Sequence, residues 1–279
     1  MAFVAGCEQV VPADGLPYVD QIVIKGILVA GEPIDSISIT HTLPLNVTYT
    51  PTAAAIPDAI VMIMVDGKEI PLSYLGQGDF GDPMNDTVQA GKTYSIDVRW
   101  NGLHATASTL VPSSLTIQDA MILPPQFDTQ YFLINGYTPD TFVSVSATAS
   151  VSIDSKTNEV YRVIADSVWN DSSYHSSSSD YYRSYQDYTL PNDTSSERLI
   201  SLTYSFYLSR MDTNGFAAKL TIAGYDRAYY DFLRTYEHYD NGGDIFGSSG
   251  TNPKWNVSGD GIGIFIGEAK TQVSMTYRR

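Results

Sequence analysis

The side chains that could do acid-base or nucleophilic chemistry are present but scattered. The histidines, His41, His104, His175 and His238, include no short-spaced pair of the kind that a helix-borne zinc site uses. The sequence has no Gly-x-Ser-x-Gly elbow and no phosphate-binding glycine loop that ends in Lys-Ser or Lys-Thr. Carboxylates are numerous, but their spacing does not select two of them as an acid and a base. We therefore expect a protein that is not an enzyme and that holds no metal and no cofactor.

One group of oxygen-bearing side chains has the chemistry of a calcium site. Asp79, Asp82, Asn85 and Asp86 lie close together among glycine and proline residues. Calcium prefers several such oxygens from a flexible loop, but the spacing here differs from that of an EF-hand loop. An ordinary polar turn explains the same residues, and we favour that interpretation.

Cys7 is the only cysteine, so the chain can form neither an internal disulfide nor a thiolate metal cluster. It follows Val4-Ala5-Gly6, and the run resembles the bacterial lipobox, in which the cysteine sulfur is acylated and the chain is cut just before it. Residues 1–17 would then be a lipobox and a tether. Because the first three residues lack the basic and apolar regions of a signal peptide, we expect residues 1–6 to be the end of a longer one. The alternative is a small buried thiol.

The stretch from Trp169 to Tyr188 mixes aromatic side chains with Ser, Asn and Asp. This composition is typical of recognition loops, because tyrosine offers a large contact area at little cost in conformational entropy. The alternative is a long surface loop between two strands. The candidate binding residues are Trp169, Tyr174, Tyr181, Tyr182, Tyr185 and Tyr188.

The elements that must hold these residues are predicted to be strands. Gln21 to Val29 is a β-branched run, and Ile34 to Thr40 alternates polar with apolar residues. Asp66-Gly67 and Asn101-Gly102 each lie between apolar runs, and both dipeptides favour the two-residue turn of a hairpin. Residues 18–112 are therefore predicted to form a small immunoglobulin-like or transthyretin-like β-sandwich.

The remainder, residues 113–279, is predicted to form a larger sandwich with one helix. Aromatic and apolar residues recur at spacings of three and four from Tyr225 to Tyr239, which indicates a helix near residues 225–239. Two further strands are expected in Gly261 to Gly267 and around Val273 to Tyr277. The fold class is thus all-β, with two β-sandwich domains.

Composition limits the partners. The hydrophobic fraction of 43% is enough for a packed core, and the net charge of -15 would repel a phosphate backbone. We therefore expect no nucleic-acid partner. No stretch reaches the roughly 18 uninterrupted apolar residues that a membrane-spanning helix needs.

Three parts of the sequence together resemble a known family. They are the lipobox-like Cys7, the strands from Ile22 to Leu28 and from Ser36 to Ile39, and a C-terminal block. That block contains Tyr229-Tyr230-Asp231-Phe232-Leu233-Arg234-Thr235-Tyr236 and Asn256-Val257-Ser258-Gly259-Asp260-Gly261-Ile262-Gly263-Ile264-Phe265. The chain looks like a Bacteroidota outer-membrane lipoprotein of the family named domain of unknown function 4249. It departs from that pattern at Ile245, where a proline is expected, and at Asp260, where a glycine is expected.

The resemblance implies an outer-membrane lipoprotein, anchored at the cell surface or the periplasmic face and encoded beside a TonB-dependent receptor. It further implies O-glycosylation at Asp-Ser or Asp-Thr followed by an apolar residue. Ser36, Thr87 and Ser167 fit this pattern, although a three-residue pattern also recurs by chance.

The predicted function is that of a non-catalytic accessory binding or scaffold subunit of an outer-membrane TonB-dependent transport complex. Its suspected partner is an outer-membrane β-barrel receptor. Two alternatives stay open: a structural adhesin or filament component, and a carbohydrate-active enzyme with two carboxylates in a tyrosine-lined cleft.

Overall fold

A computed structural model describes most of the chain. The described residues are 18–113, 115–123, 126–128, 142–153, 160–170, 184–189, 198–208, 216–240 and 253–277. The strands are β1 (Ile22–Val29), β2 (Ile37–His41), β3 (Ile60–Val65), β4 (Lys68–Gly76), β5 (Asp79–Gly81), β6 (Thr93–Trp100), β7 (Leu103–Leu110), β8 (Thr116–Ile122), β9 (Gln126–Asp128), β10 (Phe142–Ile153), β11 (Val160–Asn170), β12 (Ser184–Thr189), β13 (Arg198–Leu208), β14 (Phe216–Tyr225), β15 (Ser258–Gly259) and β16 (Gly261–Tyr277). The helices are α1 (Pro51–Ala54) and α2 (Arg227–Asp240).

Both hairpins predicted from the sequence are present. β3 pairs antiparallel with β4 through Asp66 and Gly67, whose φ angles are 49° and 78°. β6 pairs antiparallel with β7 through Asn101 and Gly102, with φ angles of 48° and 81°. Two successive positive φ angles match the right-handed twist of the flanking strands, which is why these dipeptides were expected to turn here.

Twelve strands form one large curled sheet in the order β12-β11-β14-β16-β1-β2-β5-β4-β3-β6-β7-β15. Its middle folds over at β4 and β5, so that β1 and β2 belong to one layer and β3, β6 and β7 to the other. Strand β15 pairs with β7, and β16 follows it directly in the chain and lies beside β7. The two layers are therefore joined along both long edges, around one core.

That core consists of side chains that alternate inward from both layers. The largest of its fully buried members include Ile24, Ile39, Ile63, Phe80, Tyr94 and Phe265. Phe265 comes from β16, and it packs in the same cluster as the residues of β1 to β7. A residue late in the chain thus helps to fill the core that the first part of the chain builds.

Strand β16 corrects one expectation. The sequence predicts two strands here, both completing a second sandwich, whereas the structure has a single strand of 17 residues. Its first half pairs parallel with β1, from Ile22 with Gly261 to Val29 with Glu268. Its second half pairs antiparallel with β14, up to Phe216 with Tyr277. One strand therefore belongs to both halves of the large sheet.

Strand β16 lies close to the main chain of β1 and to that of Val111, and two glycines in β16 allow this. Gly263 has a φ of 122°, and a Cβ atom there would be 2.0 Å from the carbonyl oxygen of Ile24. At Gly267 a Cβ atom would be 2.6 Å from the Cα atom of Val111. Any larger residue would collide with main-chain atoms, so these positions depend on the absence of a side chain.

A second sheet of four strands contains β13, β10 and β8 in that order, with β9 also paired to β10. Strand β8 lies near β16, and β13 lies near β11. The all-β fold class is confirmed, and the helix expected near residues 225–239 is α2. The division into two sandwich domains at residue 112 stays a prediction.

Candidate functional site

The curled body formed by β1 to β7 and the start of β16 has two ends. The loop end contains residues 18–21, the connection 42–59 between β2 and β3, and Trp100 at the end of β6. The turn end contains residues 30–36, the Asp66-Gly67 turn and residues 82–92. The eight residues of β1 run from one end to the other, a distance of about 26 Å.

The chain enters the body at the loop end. The Tyr18 hydroxyl donates to the carbonyl oxygen of Thr42 at 2.5 Å, and the Gln21 amide donates to the Thr42 hydroxyl at 3.0 Å. The Thr42 amide in turn donates to the carbonyl oxygen of Gln21 at 2.9 Å. These bonds fix the segment before β1 against the start of the 42–59 connection.

The part of the connection that leads to β3 is also fixed to the body by contacts. Ala54 and Ile56 are buried, and Thr40 forms an isolated β-bridge with Ala55. The Thr50 hydroxyl accepts from the Ala53 amide at 3.0 Å and caps the single turn α1. The connection is therefore anchored at both ends, and its middle projects from the body.

The projecting part is apolar and exposed. We call residues 43–50 the crest; its exposed apolar side chains are Leu45 at 76%, Val47 at 44% and Tyr49 at 67% of their full accessible area. Val19 and Ile60 beside it are also exposed. Single exposed apolar residues are common on protein surfaces, but a group of five at one end indicates a contact surface.

Polar groups at the base of the crest are paired within the protein. His41 Nδ1 lies 2.9 Å from Asp20 Oδ1, and its ring lies 5.0 Å from that of Trp100. The Trp100 indole N–H donates to Asp58 Oδ1 at 3.0 Å. Histidine and carboxylate thus meet here, which sequence spacing does not reveal. Both His41 nitrogens have partners, since Nε2 faces the Ala53 carbonyl oxygen at 3.3 Å.

The turn end is built from charged groups. The carboxylate of Asp82 is buried and accepts from the amides of Met84 at 2.9 Å and Asp86 at 2.6 Å. Asp86 accepts from Lys68 Nζ at 2.6 Å. Two of the four side chains considered above for calcium, Asp82 and Asp86, therefore stabilise a turn and an ion pair.

Two of the three candidate glycosylation residues lie at the turn end. Ser36 and Thr87 are exposed, and the segments that carry them are bridged where Pro33 pairs with Thr87. Ser167 lies in β11, where it pairs with Lys219. Glycosylation itself stays a prediction at all three residues.

Helix α2 forms a second cluster of aromatic groups. The Asp226 carboxylate caps the helix by accepting from the Tyr229 amide at 3.2 Å, and it also accepts from the Thr109 hydroxyl. Phe232 packs against Tyr236 and Trp255, with ring centroids 5.3 and 5.5 Å apart. The aromatic stripe read from the sequence therefore mainly serves packing on one side and leaves part of Tyr236 and Trp255 exposed.

A charged contact holds α2 to the segment before β15. Lys254 Nζ lies 2.5 Å from Asp231 Oδ2, and Arg227 Nε lies 3.3 Å from Asp231 Oδ1. Burial opposes ionisation of Asp231, but the two cations outweigh it and hold the pKa of this carboxyl below its ordinary value. The contact is therefore strongest above that ordinary value and is lost as the pH falls through the lowered pKa.

The glycine-rich motif that carries the family resemblance, residues 256–265, connects the two layers of the body, because it pairs with both β7 and β1. The Asn256 side chain accepts from the Phe265 amide at 2.9 Å and donates to its carbonyl oxygen at 2.6 Å. Asp260, where a glycine was expected, accepts from the His104 amide at 3.1 Å. This departure adds a contact that glycine could not make, so the motif is structural at this position.

The recognition loop expected in Trp169 to Tyr188 is partly strand. Trp169 lies in β11, whereas Tyr185 and Tyr188 lie in β12, which the sequence did not predict. Strand β12 pairs with β11, with Tyr188 opposite Tyr161. Tyr174, Tyr181 and Tyr182 lie outside the described residues, as does Cys7. A binding role for these residues stays a prediction.

Within the described residues, neither helix is long and apolar enough to cross a membrane. The same part of the chain contains no group of three or more His, Cys, Asp or Glu side chains placed to hold a metal ion.

The curled sheet and the two contrasting ends define an all-β protein. The chain matches the domain of unknown function DUF4249 over residues 9–274, and it belongs to that family. No curated protein matches the chain.

Proposed function

We propose that this protein is a non-catalytic, lipid-anchored surface protein that acts as an accessory binding or scaffold subunit of an outer-membrane TonB-dependent transport complex. The observation that carries the proposal is the position at which the chain from Cys7 enters the folded body. Tyr18 lies at the loop end, eleven positions after Cys7. Eleven residues reach about 40 Å at full extension, so an acyl group on Cys7 would keep the loop end close to the lipid.

At two places in the described residues, the bonds of polar side chains favour a binding role over a catalytic one. At the loop end His41 and Asp20 are paired with each other, and at the turn end Asp82 is occupied by two main-chain amides. A catalytic acid or base needs a free face toward substrate. These carboxylates instead stabilise the body, as in a rigid scaffold.

The membrane and partner are inferred from the family resemblance and the charge. An outer-membrane β-barrel receptor is the partner that the resemblance implies. The net charge of -15 disfavours nucleic acid and would suit a cationic or neutral surface. The body would then stand at the cell surface or the periplasmic face of the outer membrane.

Removing the sulfur tests the anchor. We expect Cys7→Ala, expressed from a full-length precursor, to move from the membrane fraction to the soluble fraction while its thermal unfolding is unchanged. Gln9→Ala, which alters the tether but keeps the sulfur, should stay with the membranes. Cys7→Ala that remains membrane-bound after a high-salt wash would refute anchoring at this residue.

The same pair of strains tests the partner. Affinity purification from detergent-solubilised membranes should recover a β-barrel receptor with Gln9→Ala and much less of it with Cys7→Ala, because the anchor raises the effective concentration of both proteins in one membrane. Recovery of no β-barrel with either variant would contradict the role as a transport subunit and leave the anchor standing.

A further inference from the structure

The part of the connection that contains the crest is free of charge in a strongly acidic chain. Residues 42–57 contain no Asp, Glu, Lys, Arg or His. Charged residues make up 17% of the protein, so sixteen residues would on average carry almost three. The nearest carboxylates, Asp20 and Asp58, are bonded to His41 and Trp100 at the strand ends.

The side chains of the crest suit the boundary between lipid and water. Leu45 and Val47 offer apolar groups, and Tyr49 has a ring with a polar tip, the type of residue enriched at membrane interfaces. The Val47 amide donates to the Pro44 carbonyl oxygen at 2.9 Å, so the turn satisfies part of its own main chain. A segment that enters a lipid boundary needs this, because main-chain groups lose water there.

The position of the chain entry favours the same end. Cys7 precedes Tyr18 by eleven positions, and Tyr18 lies at the loop end, whereas the turn end lies about 26 Å farther along β1. With Cys7 in the lipid, the loop end can rest on the membrane without stretching the tether. Turning the other end to the membrane would require the tether to run back along the whole body.

The turn end would also be a poor lipid contact. Three lysines form ion pairs there: Lys68 with Asp86, Lys92 with Asp66 and Lys270 with Glu32. Ser36 and Thr87, the candidate glycosylation residues, are exposed at this end as well. Moving such groups into a lipid boundary would remove water from charges, which is costly.

We propose that the crest, residues 43–50, inserts into the headgroup region of the membrane, with Leu45, Val47 and Tyr49 in contact with the upper part of the acyl chains. This depends on the proposed lipid anchor only for bringing the body to the membrane. The anchor and the crest together then fix the orientation of the body, with the turn end pointing away from the lipid. An anchor alone would leave that orientation free.

The test replaces the natural anchor, so that it does not depend on acylation of Cys7. A full-length Cys7→Ala chain with a histidine tag at its amino terminus is bound to phosphatidylcholine vesicles that contain a nickel-chelating lipid. A single cysteine is then introduced as Leu45→Cys and labelled with an environment-sensitive fluorophore. Met84→Cys, at the turn end and 81% exposed in the native side chain, provides the matched control.

We expect the label at position 45 to shift its emission to shorter wavelength, gain intensity several-fold and be quenched by nitroxide-labelled lipid. The label at position 84 should keep its aqueous emission. A label at position 49, from Tyr49→Cys, should respond as the label at position 45 does. Agreement between positions 45 and 49 guards against an effect of the label on one site.

Two results would overturn the proposal. One is aqueous emission at position 45 while sedimentation shows the protein on the vesicles; the crest would then face a protein partner or a second copy. The other is an equal response at positions 45 and 84, which would show adsorption without orientation. Neither result bears on acylation of Cys7, which fractionation of the Cys7→Ala strain tests separately.

Discussion

At the loop end, residues 42–57 of the connection between β2 and β3 include no charged side chain, whereas at the turn end the connection from 82 to 87 contains two aspartates. The same strands lead into both ends, so the difference lies in the connections. The turn end is held by a buried carboxylate and ion pairs, which fix it internally. The loop end is fixed only at its base, and its apolar crest is left for another surface. Stability and contact are thus assigned to opposite ends of one sheet.

The largest effect on stability should come from disrupting the pairing of β16 with β1, which runs from one end of the body to the other. Gly263→Ala would place a Cβ atom 2.0 Å from the Ile24 carbonyl oxygen at a φ of 122°. We expect a loss of about 3 kcal/mol or more in the free energy of unfolding, measured by urea denaturation, because neither main chain can move without opening the sheet.

The matched control is Gly102→Ala. Gly102 also has a positive φ, of 81°, but a Cβ atom there meets nothing within 4 Å. It should lose only about 1 kcal/mol, the cost of the conformation itself. Equal losses in the two variants would show that the close approach of β16 to β1 contributes nothing to stability.

A smaller effect is expected from removing the carboxylate that organises the turn end. Asp82→Ala would leave the amides of Met84 and Asp86 without their acceptor, and we expect a loss of about 1 to 2 kcal/mol by the same measurement. Asp35→Ala, which removes an exposed carboxylate at the same end, should cost no more than about 0.5 kcal/mol. Similar values for the two would contradict the structural role of Asp82.

The smallest effect on stability should come from the crest. Leu45→Ser removes an apolar side chain that is 76% exposed, so the free energy of unfolding should change by no more than about 0.5 kcal/mol. The same variant should weaken the contact of the unacylated, tag-bound protein with vesicles. A large loss of stability would mean that Leu45 packs within the protein, and the contrast between the two ends would then disappear.

The two hairpin turns and helix α2 could be predicted from the sequence, because residues close together in the chain determine them. Asp66-Gly67 and Asn101-Gly102 predict their hairpins, since few other residues tolerate two successive positive φ angles. The spacing of Tyr229, Phe232 and Tyr236 predicts α2 for a similar reason, because a helix places these side chains on one face. Tyr225, which the pattern also included, is instead the last residue of β14.

The parallel pairing of β1 with β16 has no such local signal. The two strands are more than 230 positions apart, and Ile22 carries no sign that its partner is Gly261. The sequence predicts two C-terminal strands, whereas the structure has one that pairs with β1. The sequence also gives no sign that Phe265 packs in the core formed by β1 to β7. The crest was missed for a different reason. Its apolar residues carry no motif that marks them as exposed, and only the three-dimensional burial shows that they face solvent.

The parallel ladder between β1 and β16 also determines how the molecule would carry a mechanical load. A pull on the chain before β1 would act on the amino end of β1, and an opposing pull on the chain after β16 would act on the carboxyl end of β16. These forces slide the two strands past each other, so eight residue pairs resist together and do not peel apart one after another. The strands would therefore separate only when all eight pairs gave way together.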